Sequence, residues 1–271
     1  MRNFNVNLSQ IPSLKPQILA QLQTAIEKNN LVSEPTTIPL TRAKNTIEII
    51  YLSPIALKLA SSQNDNKSNQ LADYLSTRLN SECLNFNIEV IAPGWLKFQS
   101  TPMGLATWLQ NLISTSLVSP FPPSMSASNS SSLFTIQYTH ARCCSLLQTG
   151  HRENLIILEQ NTHQIITPEP IPWLNSSQKL RFQEYSENAL ISRLADTLDS
   201  LATGTLQNPL KVATSLCEAF SSFHSSCRIW GEIKTQNPEL SQARLGLIRA
   251  TQNTLQFILQ NFLATEAPTE L

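Results

Sequence analysis

Tyr138, His140 and Arg142 lie close together in the stretch FTIQYTHARCCSLL, residues 134–147. An aromatic ring can stack on an unpaired base, and a guanidinium can bind a phosphate. Tyr138 and Arg142 share one face of a helix because they are four residues apart, whereas His140 lies on another. Two interpretations stay open: an RNA-contacting face, or a residue packed at the helix start beside an arginine in a surface ion pair. For His140 we expect a packed or capping role.

Enzymatic chemistry finds little support in the rest of the sequence. The four histidines have no plausible Asp, Ser or Cys partner nearby in sequence, and the five cysteines lack zinc-binding spacing. Only six glycines are present, and no glycine-rich phosphate loop occurs. We therefore expect no metal, no cofactor and no nucleophilic catalysis.

Composition indicates a polar but weakly charged protein. The 271 residues are 41% hydrophobic, and only 14% are charged, against about 25% in average soluble domains. The net charge is zero, so no global basic patch marks a strong nucleic-acid binder. An odd cysteine count without an apolar leader fits reduced thiols in the cytosol. No run is long enough to span a membrane, so we expect a cytoplasmic protein.

Residues 1–118 are predicted to form a small α/β unit. Helical periodicity occurs at 11–29 and 67–80, and a β-branched run at 46–52 predicts a strand. Ser53 and Thr101 are candidate caps of two further helices. The stretch FNIEVIAPGWLKFQS, residues 86–100, predicts two strands around a Pro-Gly turn.

A Pro/Ser-rich linker is predicted at 119–132, and a bundle of four or five helices at 133–271. Helices are expected at 133–149 and 179–202, and others begin at Pro209 and Pro238. Residues 151–175, rich in proline at their end, suggest an insertion or a long loop between helices. The fold class is therefore α+β: a small N-terminal α/β unit followed by an all-helical C-terminal bundle.

Three segments of the bundle resemble arginyl-tRNA synthetases. FTIQYTHARCCSLL resembles that family's YAHARxxSxL pattern, which opens the helical DALR domain that holds the anticodon stem-loop. Phe223, Cys227 and Arg228 resemble the family's FYxxCRV. The stretch ARLGLIRATQ, residues 243–252, resembles ARLxLVxA, and Ala267-Pro268 resembles the start of a terminal APERM.

The first unit is similar, more weakly, to the N-terminal additional domain of the same family, which touches the outer corner of the tRNA. IEVIAPGWLKFQ, residues 88–99, resembles the family's VEIAGPGFINF hairpin. In a complete synthetase the catalytic domain stands between these two units, with HIGH-type and KMSKS-like motifs. Neither motif occurs here, and the tract between Phe98 and Phe134 is too short for a series of βαβ units of roughly 30 residues each.

The resemblance implies a non-catalytic protein that binds structured RNA, and tRNA above all, through its helical domain. The candidate RNA-binding residues are Tyr138, Arg142, His224, Arg228 and Arg244, although Arg244 also suits a buried structural pair. The alternative is a repurposed scaffold that binds a protein partner, and a third possibility is a tRNA-binding part that serves a separate enzyme. Glu270 stands where the family has arginine, which would repel RNA.

Overall fold

The computed structural model describes residues 11–29, 31, 37–43, 47–62, 68–82, 84–115, 131–160, 163–205 and 208–271. They divide into two compact units, Ser13–Leu105 and a second unit that contains Ala106–Leu271. This division falls earlier than the predicted boundary at 118. Of the linker predicted at 119–132, residues 119–130 lie outside the described residues. The last two positions already belong to a helix that begins at Ser131.

The first unit is built on an antiparallel four-stranded sheet, and the order of its strands is β1-β2-β4-β3. The strands are β1 (Thr41–Arg42), β2 (Ile50–Ser53), β3 (Phe86–Ile91) and β4 (Trp95–Ser100). The helices that begin in this unit are α1 (Leu14–Lys28), α2 (Ile55–Ser62), α3 (Ser68–Glu82) and α4 (Pro102–Ser114), of which α4 continues into the second unit. An N-terminal unit of helices and a small sheet is thus confirmed.

The hairpin of β3 and β4 forms because its side chains alternate between core and solvent. Ile88 pairs with Phe98 on the buried side, whereas Glu89 pairs with Lys97 on the other. Gly94 supports the turn with a φ of +128°, a conformation in which a side chain would be strained. The predicted turn at Pro93-Gly94 is confirmed.

Both predicted caps accept a backbone hydrogen bond at a helix start. The Ile55 N–H donates to Ser53 Oγ at 3.3 Å, and the Gly104 N–H donates to Thr101 Oγ1 at 2.9 Å. Each hydroxyl satisfies an N–H that has no partner within its helix, which is why α2 and α4 begin where the sequence predicts.

Five further helices lie among the described residues of the second unit, which confirms the predicted bundle. They are α5 (Ser131–Arg152), α6 (Tyr185–Ala202), α7 (Pro209–Ser226), α8 (Glu232–Gln236) and α9 (Pro238–Asn261). Helix α9 is the central element, since it packs on α5, α6 and α7 and is buried along most of its length. The fold class is therefore α+β.

The segment between α5 and α6 is more ordered than a loop or insertion. It contains a hairpin of β5 (Ile157–Leu158) and β6 (Ile165–Thr167). Its proline-rich end is fixed by Trp173, whose Nε1 donates to Gln110 Oε1 at 3.0 Å. The ring covers Gly246 of α9, where an added Cβ would lie 2.4 Å from Trp173 Cη2. A glycine is therefore required at that contact.

The predicted start of a helix at Lys179 is wrong, because α6 begins at Tyr185. The backbone at 179–181 bonds back to 173–175: the Asn175 N–H donates to the Lys179 carbonyl at 2.8 Å. The helix begins only where the Glu187 carboxylate accepts the N–H groups of Gln183 and Glu184, each at 2.9 Å. This capping box fixes the helix start.

Candidate nucleic-acid interface

The outward side of α5 carries three exposed residues at intervals of one turn: Phe134, Tyr138 and Arg142. The two aromatic side chains are 58% and 54% exposed. Their ring centroids lie 6.4 Å apart with 24° between the planes. The guanidinium of Arg142 is exposed and forms no ion pair within the part of the chain that the structure describes. We call these three residues the outer face of α5.

An open groove of about 700 Å³ borders the outer face, and Tyr138, Arg142, Arg152, His163 and residues 269–271 line it. Arg152 at the end of α5 is exposed, so two arginines supply positive charge to one groove. Burial, and then the charge of Arg249, lowers the pKa of His163. The groove can therefore accept an anionic ligand on one side and an aromatic one on the other.

The chain after α9 runs back along α5 and forms one wall of this groove. Gln137 Nε2 donates to the Glu266 carbonyl at 3.2 Å. His140 Nδ1 lies 2.8 Å from the Pro268 carbonyl oxygen, so this nitrogen must carry the proton. These two contacts bring Thr269, Glu270 and Leu271 to the groove. The acidic side chain of Glu270 thus lines the same groove as Arg142.

His140 is buried, as the sequence predicted, and only 1% of it is exposed. Its Nε2 accepts a hydrogen bond from Gln252 Nε2 at 2.9 Å, since Nδ1 is the protonated nitrogen. Burial lowers the pKa of His140 to about 4; the bond to Pro268 opposes this shift, and the charges of His163 and Arg249 add to it. The ring is thus a neutral connector between α5, α9 and the segment that follows α9.

Arg249 is a buried cation beneath this network. It is 6% exposed, and its Nη1 donates to Gln252 Oε1. No described residue offers a carboxylate to it, and burial lowers its pKa to about 10. Nothing in the local sequence distinguishes this arginine from the other polar residues of α9.

His224 and Arg228 lie near the end of α7. His224 is half-buried and stacks on Phe220 with the ring centroids 5.9 Å apart. Burial lowers its pKa, and the charge of Arg142 adds to the effect, so α5 and α7 present these side chains within electrostatic reach of each other. Arg228 is exposed and lines a second, smaller cavity of about 380 Å³ together with His224 and Trp230.

Arg244 does not belong with the other candidates, because its side chain is buried in an ion pair. It is 6% exposed, and its Nε donates to Glu187 Oε1 at 2.7 Å. Its Nη1 donates to the carbonyl oxygen of Arg228. The guanidinium joins α9, α6 and the end of α7, so it cannot reach a ligand without breaking the bundle. Of the two roles that the sequence allowed, the structural one fits the geometry.

Sequence reasoning missed one residue of the outer face of α5 and several residues of the groove. Phe134 could have been found from its spacing, since it precedes Tyr138 by one helical turn. Arg152 follows Arg142 on α5, whereas His163 lies between β5 and β6 and comes beside these arginines only through the fold. Nothing in the local sequence signals that approach.

Four cysteines are described in this unit, and Cys144 is among the residues that line the groove. Cys143, Cys144, Cys217 and Cys227 are free and buried. Burial raises the pKa of Cys144 and of Cys217 to about 11, so neither is a thiolate near neutral pH. Within the described residues, no group of three or more His, Cys, Asp or Glu side chains is arranged to hold a metal ion. No helix among them is both long and apolar enough to cross a membrane.

A helical bundle that exposes aromatic and basic residues along one helix is the kind of surface that binds folded RNA. Residues 136–271 match the DALR anticodon binding domain, which is half of the chain. The chain therefore belongs to the family of proteins that carry this domain.

Curated relatives agree with this assignment. The chain is similar to the arginine–tRNA ligase of Synechococcus sp. (strain JA-3-3Ab), with 34% identity over 137 residues, 49% of this chain and 21% of the ligase. It is 28% identical to that of Shouchella clausii (strain KSM-K16) over 54% of this chain and 24% of the ligase. The ligase of Bacillus subtilis (strain 168) is 29% identical, with the same coverage. The matches thus span about a fifth to a quarter of the length of these ligases.

Proposed function

We propose that this protein is a non-catalytic relative of arginyl-tRNA synthetase that binds tRNA, or another structured RNA, through its helical unit. The single observation that supports this most is the outer face of α5. Tyr138 and Arg142 are exposed one turn apart, beside a groove that holds a second arginine. Binding by this surface needs stacking and phosphate contacts and no covalent step.

The surface that we propose for RNA extends from α5 to α7. Arg142 and Arg152 line one cavity, and Arg228 lines the other together with His224. Arg142, Arg152 and Arg228 are all exposed, and together they supply local positive charge that the neutral composition hides.

Titration of the purified protein with total tRNA at low and moderate salt tests the proposal. Three phosphate contacts predict a plot of log affinity against log salt with a slope of roughly −2 to −3. Arg142→Ala should weaken binding and reduce the magnitude of that slope by about 1. Arg193→Ala is the matched control, because Arg193 is exposed on α6, which packs on α7 and α9.

Absence of saturable tRNA binding at low salt would overturn the proposal. It would favour the alternative of a scaffold that binds a protein partner. Two observations support that alternative: the zero net charge of the chain and the acidic Glu270 in the groove. The non-catalytic part has its own test, which is aminoacylation of tRNA with arginine and ATP. Charging by protein free of contaminating ligase would contradict it.

A further inference from the structure

Arg249 on α9 is a buried cation whose guanidinium has an unused edge. Its side chain is 6% exposed, and its Nη1 donates to Gln252 Oε1. Its Nε is buried and has no hydrogen-bond partner among the described residues. In a guanidinium, the N–H groups of Nε and Nη2 lie side by side, and this edge binds an oxyanion through two parallel hydrogen bonds. The described contacts of Arg249 leave that edge open.

A buried charge without a partner is costly, so its presence needs an explanation. Arg244 on the same helix has the usual arrangement, because its Nε donates to Glu187 Oε1 at 2.7 Å. Arg249 is as deeply buried as Arg244, yet no described residue offers it a carboxylate. The negative charge that would balance Arg249 must therefore come from a ligand.

A short series of contacts connects Arg249 to the wall of the groove beside α5. Gln252, which accepts a hydrogen bond from Arg249, also contacts His140 Nε2 at 2.9 Å. His140 Nδ1 lies 3.9 Å from the Sγ of Cys144, which lines the groove. His163 lines the same groove, and the charge of Arg249 helps to lower its pKa. The buried cation thus lies close behind Cys144 and His163.

We propose that the open edge of Arg249 binds a phosphate group that enters from this groove. Arg142 and Arg152 line the groove, whereas Glu270 is the one acidic side chain among its described lining residues. A phosphate carries up to two negative charges and several acceptor oxygens, so it matches this excess of cations better than a single carboxylate does. Because the Nε is buried, we expect the half-buried side chain of His163 to move aside when the phosphate enters.

The phosphate can belong to an RNA or to a free ion, since the chemistry at Arg249 is the same for both. The site is independent of the proposed function. It depends on a buried cation of α9, whereas the proposed RNA-binding surface consists of exposed residues on α5 and α7.

Titration with inorganic phosphate tests the site, with chloride at equal ionic strength as the reference. Calorimetry measures the affinity, and NMR follows the Nε–H signal of Arg249, which is identified by its loss in Arg249→Lys. Lysine keeps the positive charge but lacks the edge with two donors. The matched control is Arg193→Lys, which makes the same change at an exposed arginine of α6.

Phosphate should shift the Nε–H signal of Arg249 in a saturable manner and raise the melting temperature of the unchanged protein. Arg249→Lys should weaken phosphate binding by about 10- to 150-fold, which corresponds to the loss of one charged hydrogen bond. Arg249→Met is a second variant, which should fold because it removes an unpaired buried charge and should lose the response to phosphate. Arg193→Lys should bind phosphate as the unchanged protein does.

A competition experiment with tRNA distinguishes the two sources of the phosphate. Competition that is lost in Arg249→Lys would assign the site to a phosphate of RNA, and phosphate binding that tRNA leaves unchanged would assign it to a free ion. Equal phosphate affinity in the unchanged protein and in Arg249→Lys, or no saturable shift of the Nε–H signal, would overturn the inference. If phosphate binding depends on Arg249 while tRNA does not bind, only the proposed function is overturned.

Discussion

The two sides of α5 differ more than the residues of one short motif would suggest. On the outer face, Tyr138 and Arg142 are exposed, whereas His140, which lies between them in sequence, is buried against α9. Two arginines of the unit differ in the same way: Arg142 is exposed and forms no ion pair with any described residue, whereas Arg244 is buried in an ion pair with Glu187. The difference teaches that one part of this short sequence builds the bundle, whereas another part stays exposed on its surface.

Removing the buried arginine should have the largest effect and should act on stability alone. Arg244→Met leaves the carboxylate of Glu187 buried without its cation, which costs about 3–5 kcal/mol of unfolding free energy. Urea denaturation measures this loss. The double variant Glu187→Gln/Arg244→Met should regain part of it, since no unpaired charge remains. If Arg244→Met keeps full stability but binds tRNA poorly, Arg244 would be a binding residue and not a structural one.

The buried histidine should make the bundle less stable in acid. The pKa of His140 is about 4 in the folded protein against 6.5 for an ordinary histidine, so between these values the unfolded chain binds the proton more readily. Stability is therefore fully present above pH 6.5 and falls as the pH decreases toward 4, by roughly 3 kcal/mol in all. The lowered pKa values of His163 and His224 add to the same trend.

Denaturation curves across this pH range check the expectation, with His140→Asn as the comparison. Asparagine keeps a donor toward the Pro268 carbonyl but does not titrate. The variant should be less stable at pH 7 and should show a weaker dependence on pH. An unchanged dependence would mean that His140 is not the group that links the stability of the bundle to acid.

The outer face should respond in the opposite manner, with a loss of binding and no loss of stability. Tyr138→Ala and Arg142→Ala should each weaken tRNA binding by about 1–3 kcal/mol, the worth of a stacking or charged contact. Melting temperatures should stay near that of the unchanged protein, because both side chains are exposed. Unfolding of either variant would instead make the residue a part of the bundle's framework.

Much of the fold follows from the sequence because its signals are local. The apolar spacing of α9, the prolines that open α7 and α9, and the Pro-Gly turn between β3 and β4 each act within a few residues. The start of α6 was missed because a carboxylate within the helix fixes it, while the preceding residues bond to a segment earlier in the chain. Periodicity alone does not reveal that competition.

The site was harder to predict than the fold. Residue type and spacing indicated Tyr138 and Arg142, but they could not separate Arg142 from Arg244, since both stand beside apolar residues on helices. Arg244 is structural because Glu187, which lies on another helix, accepts a hydrogen bond from its guanidinium. Likewise, the groove needs His163 and the segment after α9 to converge on α5, which is a property of tertiary packing.

The smallest expected effect concerns the acidic wall of the groove. Glu270 lines the groove that holds Arg142 and Arg152. Glu270→Gln removes a negative charge from a surface that would face phosphates, so tRNA binding should strengthen by less than about 1 kcal/mol, most clearly at low salt. Asp73→Asn on α3 changes the net charge equally and should have no such effect. Equal gains in both variants would mean that overall charge matters and the groove does not. If tRNA affinity rises only in Glu270→Gln, the result would support RNA binding at the groove beside the outer face of α5, where the negative charge of Glu270 repels the phosphates.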